Sequence, residues 1–185
     1  VPIPPGGDPT RGFHGAYVMA PWTNRLDGGR IEAAGRAWRM PINRPEEDTS
    51  LHGLMRERPW AVEHAAPDRA VLTCALDHAP FDCAARLEAV LSEDGLALSL
   101  ALRNTGAAPT PLGIGWHPFF ARPAGMHLRA AAAIVFGRDA RNLPVAPLPT
   151  TGLDGGDSAL DGLDTHFAGW NGVAEFAHPD GGGFT

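Results

Sequence analysis

The stretch Arg86-Leu87-Glu88-Ala89-Val90-Leu91-Ser92-Glu93-Asp94-Gly95-Leu96-Ala97-Leu98-Ser99-Leu100-Ala101-Leu102 decides the fold class. Leu87, Ala89 and Leu91 alternate with Glu88, Val90 and Ser92. Asp94-Gly95 reads as a turn, and Leu96, Leu98, Leu100 and Leu102 return at every second position. A helix would scatter leucines spaced by two around its circumference, whereas a strand sets them all on one face. The pattern predicts a β-hairpin with one face buried.

The rest of the chain repeats the theme. Its 18 prolines and 23 glycines suit many turns between short strands. Toward the N-terminus, residues 1–11 read as a loop and 16–22 as a short apolar strand. Residues 30–32 face 37–40 across Ala34-Gly35 as a hairpin. Residues 41–50 read as an exposed charged loop that delivers Leu51-His52-Gly53, and 60–63 and 70–76 as strands. Beyond the hairpin, 126–136 reads as an Ala-rich strand pair, 143–161 as a long loop, and 173–176 as a last strand. The turn after Asp180 implies a further strand, so residues 1–185 are expected to form a single, partial domain of a longer protein.

Composition narrows the chemistry. A net charge of −6, from 15 basic and 21 acidic residues, disfavours nucleic acid and anionic membranes as partners. No lysine occurs anywhere, which excludes Schiff-base chemistry, a pyridoxal-phosphate lysine and a phosphate-loop lysine. Cys74 and Cys83 form no CxxC pair, and His52, His117 and a cysteine have no metal-ligand spacing, so no metal is expected. No apolar run is long enough to cross a bilayer, and a cytoplasmic setting is expected, with the periplasm as the alternative.

The candidate chemical centre is Gly113-Ile114-Gly115-Trp116-His117-Pro118-Phe119-Phe120. Histidine both gives and takes protons near neutral pH, so His117 is a candidate acid, base or ligand; the competing reading is a strand-end histidine packed on Trp116 and Phe119.

Four blocks in order carry a resemblance: Asn24-Arg25-Leu26 with Gly28, Leu51-His52-Gly53, Asn104 and Pro109 leading into Gly115-Trp116-His117-Pro118-Phe119-Phe120, and Gly162-Leu163-Asp164-Thr165-His166-Phe167. Together they resemble the aldose 1-epimerase (galactose mutarotase) family. The resemblance implies an all-β, antiparallel β-sandwich of the galactose mutarotase-like supersandwich type, binding a monosaccharide without a cofactor. It implies His117 as general acid, Asn24, Arg25 and Asp164 as partners of sugar hydroxyls, and His52 as the second histidine of the site. The resemblance implies a glutamate as general base, expected beyond residue 185, and N-terminal strands expected before residue 1, so the isolated chain is expected not to turn over. Glu175 reads as a solvated strand residue. The alternatives are a non-catalytic carbohydrate-binding domain and a hexose-6-phosphate 1-epimerase, for which Arg44, Arg56 and Arg58 are candidate phosphate groups.

Overall fold

The structure is a computed structural model that describes residues 15–185. The reading of residues 1–11 as a loop therefore lies outside the described residues. The described residues gather into two compact units, one ending at Phe119 and the other beginning at Phe120.

The first unit contains β1 (Ala16–Met19), β2 (Arg25–Asp27), β3 (Arg30–Ala33), β4 (Arg36–Arg39), β5 (Thr49–Leu51), β6 (Ala61–Ala65), β7 (Arg69–His78), β8 (Phe81–Ser92), β9 (Gly95–Asn104) and β10 (Gly115–Pro118). Three short antiparallel ladders, β1–β10, β2–β5 and β3–β4, accompany the four-stranded meander β6-β7-β8-β9. The β3–β4 hairpin forms where expected, because Ala34 and Gly35 both take positive φ (51° and 72°), the backbone that a two-residue hairpin turn requires.

The hairpin of β8 and β9 pairs Leu87 with Leu100 and Leu91 with Leu96. Its link is Glu93-Asp94, with Gly95 already paired to Ser92, so the turn sits one residue earlier than the Asp94-Gly95 pair suggests. The leucine face is not buried along its whole length. Cys83 and Ala85 at the base are sealed, whereas Leu91 and Leu96 at the tip are 55% and 56% exposed. Alternation identifies the face of a strand, but only the packed neighbours decide how much of that face is covered.

The core of this unit joins Val18, Ala20, Trp22, Met40, Met55, Cys74, Leu76, Phe81, Cys83 and Ala85. Burying side chains the size of Phe81 and Leu76 contributes roughly 1.5–3 kcal/mol each. β1 thus lies directly beside the core, through Val18, while Tyr17 on the alternate side is left half-buried.

The second unit contains β11 (His127–Ala130), β12 (Ile134–Arg138), β13 (Pro144–Pro149), β14 (Leu153–Gly155), α1 (Asp157–Leu160), β15 (His166–Ala168), β16 (Ala174–Ala177) and β17 (Gly183–Phe184). β16 and β17 are the strand and the turn-linked successor expected from the sequence, and Phe120, Phe176 and Phe184 cluster at centroid distances of 4.5–5.1 Å.

Two expectations fail here. Residues 126–136 do hold two strands, but they do not pair with each other: β11 lies in the sheet β14-β11-β16-β17 and β12 in the sheet β13-β12-β15. Residues 143–161 are not a bare loop, since they form β13, β14 and α1. The prolines at 144, 147 and 149 hid β13, and they are tolerated because β13 is the edge of its sheet, where one side needs no backbone donor.

Candidate functional site

The site in the first unit is built by strand ends. β1 and β10 run antiparallel with Tyr17 directly opposite His117. Side chains opposite each other on one face of a ladder meet, and these two rings stack at 4.6 Å with planes only 10° apart. Phe119 closes on His117 from 5.0 Å. Trp116, one residue away on the strand, is 39% exposed and takes the alternate side, so of the two packing partners in the competing reading His117 meets Phe119, with Tyr17 in place of Trp116.

The β2–β5 ladder supplies the second wall. Arg25 pairs with Leu51, so Asn24 and His52 flank the last rung. Both residues adopt the left-handed backbone region, with φ of 57° and 64°. Asn and His are among the non-glycine residues that tolerate this region, and such backbone persists where surrounding bonds hold it. Those bonds are reciprocal: the His52 N–H donates to the Asn24 carbonyl at 2.9 Å, and the Asn24 N–H donates to Nδ1 of His52 at 3.2 Å.

That second bond settles a protonation question. A backbone N–H only donates, so Nδ1 must hold a lone pair and a neutral His52 carries its proton on Nε2. Burial, followed by the nearby charges of His117, Arg56, Arg25 and Arg44, pushes the His52 imidazole down to about 4. His52 is therefore a neutral ring with one Nε2–H to offer. Its centroid lies 5.2 Å from that of His117 and 6.0 Å from that of Tyr17.

Arg25 is anchored from below. Its Nε donates to Oε2 of Glu47 at 2.8 Å and its Nη2 to Oε1 at 3.2 Å, while Nη1 reaches Oδ1 of Asn24 at 3.3 Å. The Glu47 carboxylate also accepts from the hydroxyl of the fully buried Thr49 at 3.2 Å. Glu47 itself is 9% exposed. The expectation that residues 41–50 form an exposed loop is thus corrected: a 3-10 turn at Pro45–Glu47 folds Glu47 inward, and Thr49 and Ser50 are buried in β5. Charge suggested solvent, but a partner 22 residues away takes this carboxylate out of it.

Arg56, from the 3-10 turn Met55–Glu57, sits over the Tyr17 ring at 5.7 Å and hydrogen-bonds its hydroxyl. Burial nevertheless raises the Tyr17 phenol above its ordinary value, outweighing the opposing pull of Arg56 and Arg44.

Four of the residues singled out in the sequence, Asn24, Arg25, His52 and His117, are therefore one cluster. The fifth, Asp164, belongs to the second unit, where it is exposed and pairs with Arg138 at 2.5 Å. Glu175 is exposed in β16, opposite Arg129. Tyr17 and Glu47 were not singled out, whereas Phe119 stood in the block around His117. Tyr17 carried the one available signal, since it is the only tyrosine in the chain and stands in the strand that precedes Asn24. Among the described residues no three His, Cys, Asp or Glu side chains come together as a metal-holding group, and no helix is long and apolar enough to cross a membrane.

Comparison with known proteins agrees with this architecture. A family model described as aldose 1-epimerase matches residues 6–181. The chain is 30% identical over 110 residues to the Escherichia coli K12 protein YihR, covering 57% of this chain and 36% of that protein, and 26% identical over 181 residues to YphB of the same organism, covering 90% and 59%. Both relatives are uncharacterised. Among solved structures, an Escherichia coli K12 protein whose assignment as an aldose 1-epimerase is provisional superposes with a TM-score of 0.78 at 22% identity, covering 90% of this chain and 59% of that one. The GalM/aldose epimerase homologue from C. elegans gives 0.73 at 15% identity, covering 89% and 59%. The chain thus spans 59% or less of the length of each of these relatives. At such identities the solved structures speak to the fold, which is all-β, antiparallel and galactose mutarotase-like. With the family match running from residue 6 to residue 181 on a chain folded in this way, the protein belongs to the aldose 1-epimerase family.

Proposed function

We propose that the protein is an aldose 1-epimerase that interconverts the α- and β-anomers of a free hexose. The observation that carries this reading is the convergence of two imidazoles with centroids 5.2 Å apart: His52, held neutral with its proton on Nε2, and His117, stacked on Tyr17.

In this scheme His117 gives a proton to the ring oxygen while a base removes one from the C1 hydroxyl. The C1–O5 bond breaks, the aldehyde rotates about C1–C2, and the ring recloses on the other face with the proton transfers reversed. His52 donates through Nε2 to a sugar oxygen, Asn24 and Arg25 bind hydroxyls, and Asp164 is assigned to a hydroxyl on the resemblance alone. The base is assigned to a carboxylate outside residues 1–185.

The test is polarimetry on fresh α-glucose and α-galactose with the full-length gene product. His117→Asn is expected to lower the rate by about 10²-fold or more. A full rate without His117, or an inactive wild type on every aldose tried, overturns the reading; sugar binding without turnover would instead make the protein a carbohydrate-binding module.

A second reading is a sugar-phosphate 1-epimerase. It is favoured by Arg44 and Arg56, which both act electrostatically on Tyr17 and His52 and whose own carboxylate partners, Glu46 and Glu57, are themselves 65% and 72% exposed. Comparing kcat/KM for glucose and glucose 6-phosphate separates the two: a preference for the phosphate of about tenfold or more selects the second.

A further inference from the structure

We propose that Glu47 is a positioning residue for sugar binding, acting through Arg25. The inference rests on the reading that Arg25 binds a sugar hydroxyl.

Glu47 is placed by a closed turn. The Glu47 N–H donates to the Arg44 carbonyl at 3.1 Å, Asp48 takes the left-handed region at φ 49°, and Arg44 and Thr49 bond reciprocally at 3.1 and 3.2 Å. The chain leaves and returns at the same point, and within this turn the two adjacent glutamates part: the Glu46 side chain is 65% exposed and that of Glu47 is 11%. Desolvating a carboxylate is unfavourable unless a cation and further hydrogen bonds compensate, and here Arg25 and Thr49 do so.

The geometry of the compensation assigns a role beyond burial. Glu47 grips the Nε–Nη2 edge of the guanidinium with both oxygens, and a two-point grip fixes the plane of the fork as well as its position. Rotation about the side chain is then no longer available to Arg25. The fork is held with Nη1 at the Asn24 amide oxygen, and the Asn24 backbone in turn holds His52 through Nδ1. Glu47, Arg25, Asn24 and His52 form one continuous chain of bonds from the buried carboxylate to the imidazole. A hydroxyl met by a prepositioned fork is bound without first ordering a long flexible side chain, so the loss of Glu47 falls on sugar affinity.

The experiment measures KM, kcat and, by calorimetric titration, Kd for glucose and for galactose in the full-length gene product, with Arg25→Ala, Glu47→Gln, Glu47→Asp and the Arg25→Ala/Glu47→Gln pair. Arg25→Ala and Glu47→Gln are each expected to raise KM and Kd about tenfold or more. The double variant is expected to match Arg25→Ala alone, because Glu47 has nothing left to position. Glu47→Asp keeps the charge but is one methylene short of spanning Nε and Nη2; it is expected to raise KM while melting within a few degrees of wild type, and it replaces Glu47→Gln in the comparison if the latter does not fold.

Glutamate variants that lower the melting temperature yet leave KM and Kd unchanged overturn the proposal while Arg25→Ala still weakens binding. So do effects that multiply in the double variant. If Arg25→Ala itself leaves binding untouched, or no aldose binds, it is the underlying assignment of Arg25 that fails, and this proposal with it.

Discussion

Asn24 and His52 hold each other in the left-handed backbone region by two reciprocal bonds, and one of the two acceptors is the imidazole Nδ1 itself. Protonating that nitrogen breaks the bond and places a charge in a half-buried site already facing Arg25, Arg44 and Arg56.

His52 is accordingly expected to titrate near 4 by NMR of its ring protons. Between about 4 and the ordinary 6.5, the unfolded chain binds a proton at this ring that the folded chain does not. Stability is therefore full above 6.5 and falls as the pH drops through about 4. Melting temperatures for wild type and His52→Gln across this window check it: the substitution should flatten the decline, and an unchanged slope refutes the assignment.

Tyr17 offers a cleaner titration, because it is the only tyrosine. Burial against His117 raises its phenol despite Arg56. The phenolate absorbance near 295 nm is expected to rise at higher pH in the folded protein than in denaturant, where the ordinary value of about 10 applies. Coincident curves would contradict the packing described.

Gly53 follows His52 with φ 74°, and a Cβ there would overlap the Ala20 carbonyl. That same carbonyl accepts from the N–H groups of Leu54 at 2.8 Å and Met55 at 3.0 Å, so it cannot step aside cheaply. Gly53→Ala is expected to cost about 2 kcal/mol or more. In a chain of this size that lowers the melting temperature by roughly 5 °C, measurable by calorimetry.

The thiols of Cys74 and Cys83 are both free and buried, and burial, Cys74 and Asp82 push Cys83 up to about 11. Neither should react appreciably with Ellman's reagent at pH 8 until denaturant is added, when both titrate. Fast labelling of the native protein would show the meander opening.

Legibility followed the range of the interactions. The β3–β4 and β8–β9 hairpins were readable because alternation and a two-residue turn are local facts, and Asn24, Arg25, His52 and His117 were readable because each stands in a compact block. Glu47 was not, since nothing near it in sequence announces a buried cation partner. The separation of β11 from β12 was equally hidden: an antiparallel partner is chosen by the sheet, and β11 takes Glu175 and its neighbours while β12 takes Phe167 and its neighbours. The Pro, Gly, Thr and Asp content of residues 143–161 concealed β13, because prolines that would break a central strand are compatible with an edge.

The pairing of Tyr17 with His117 is one rung of a ladder only four rungs long, and Arg25 stands on one of three rungs. The ten-rung pairing of β8 with β9 lies elsewhere. Short ladders fray at lower free energy than long ones, so the cluster comes apart while the meander still holds. Along a denaturant series, loss of sugar affinity should precede loss of the far-ultraviolet circular dichroism of the strands: the molecule goes silent before it melts.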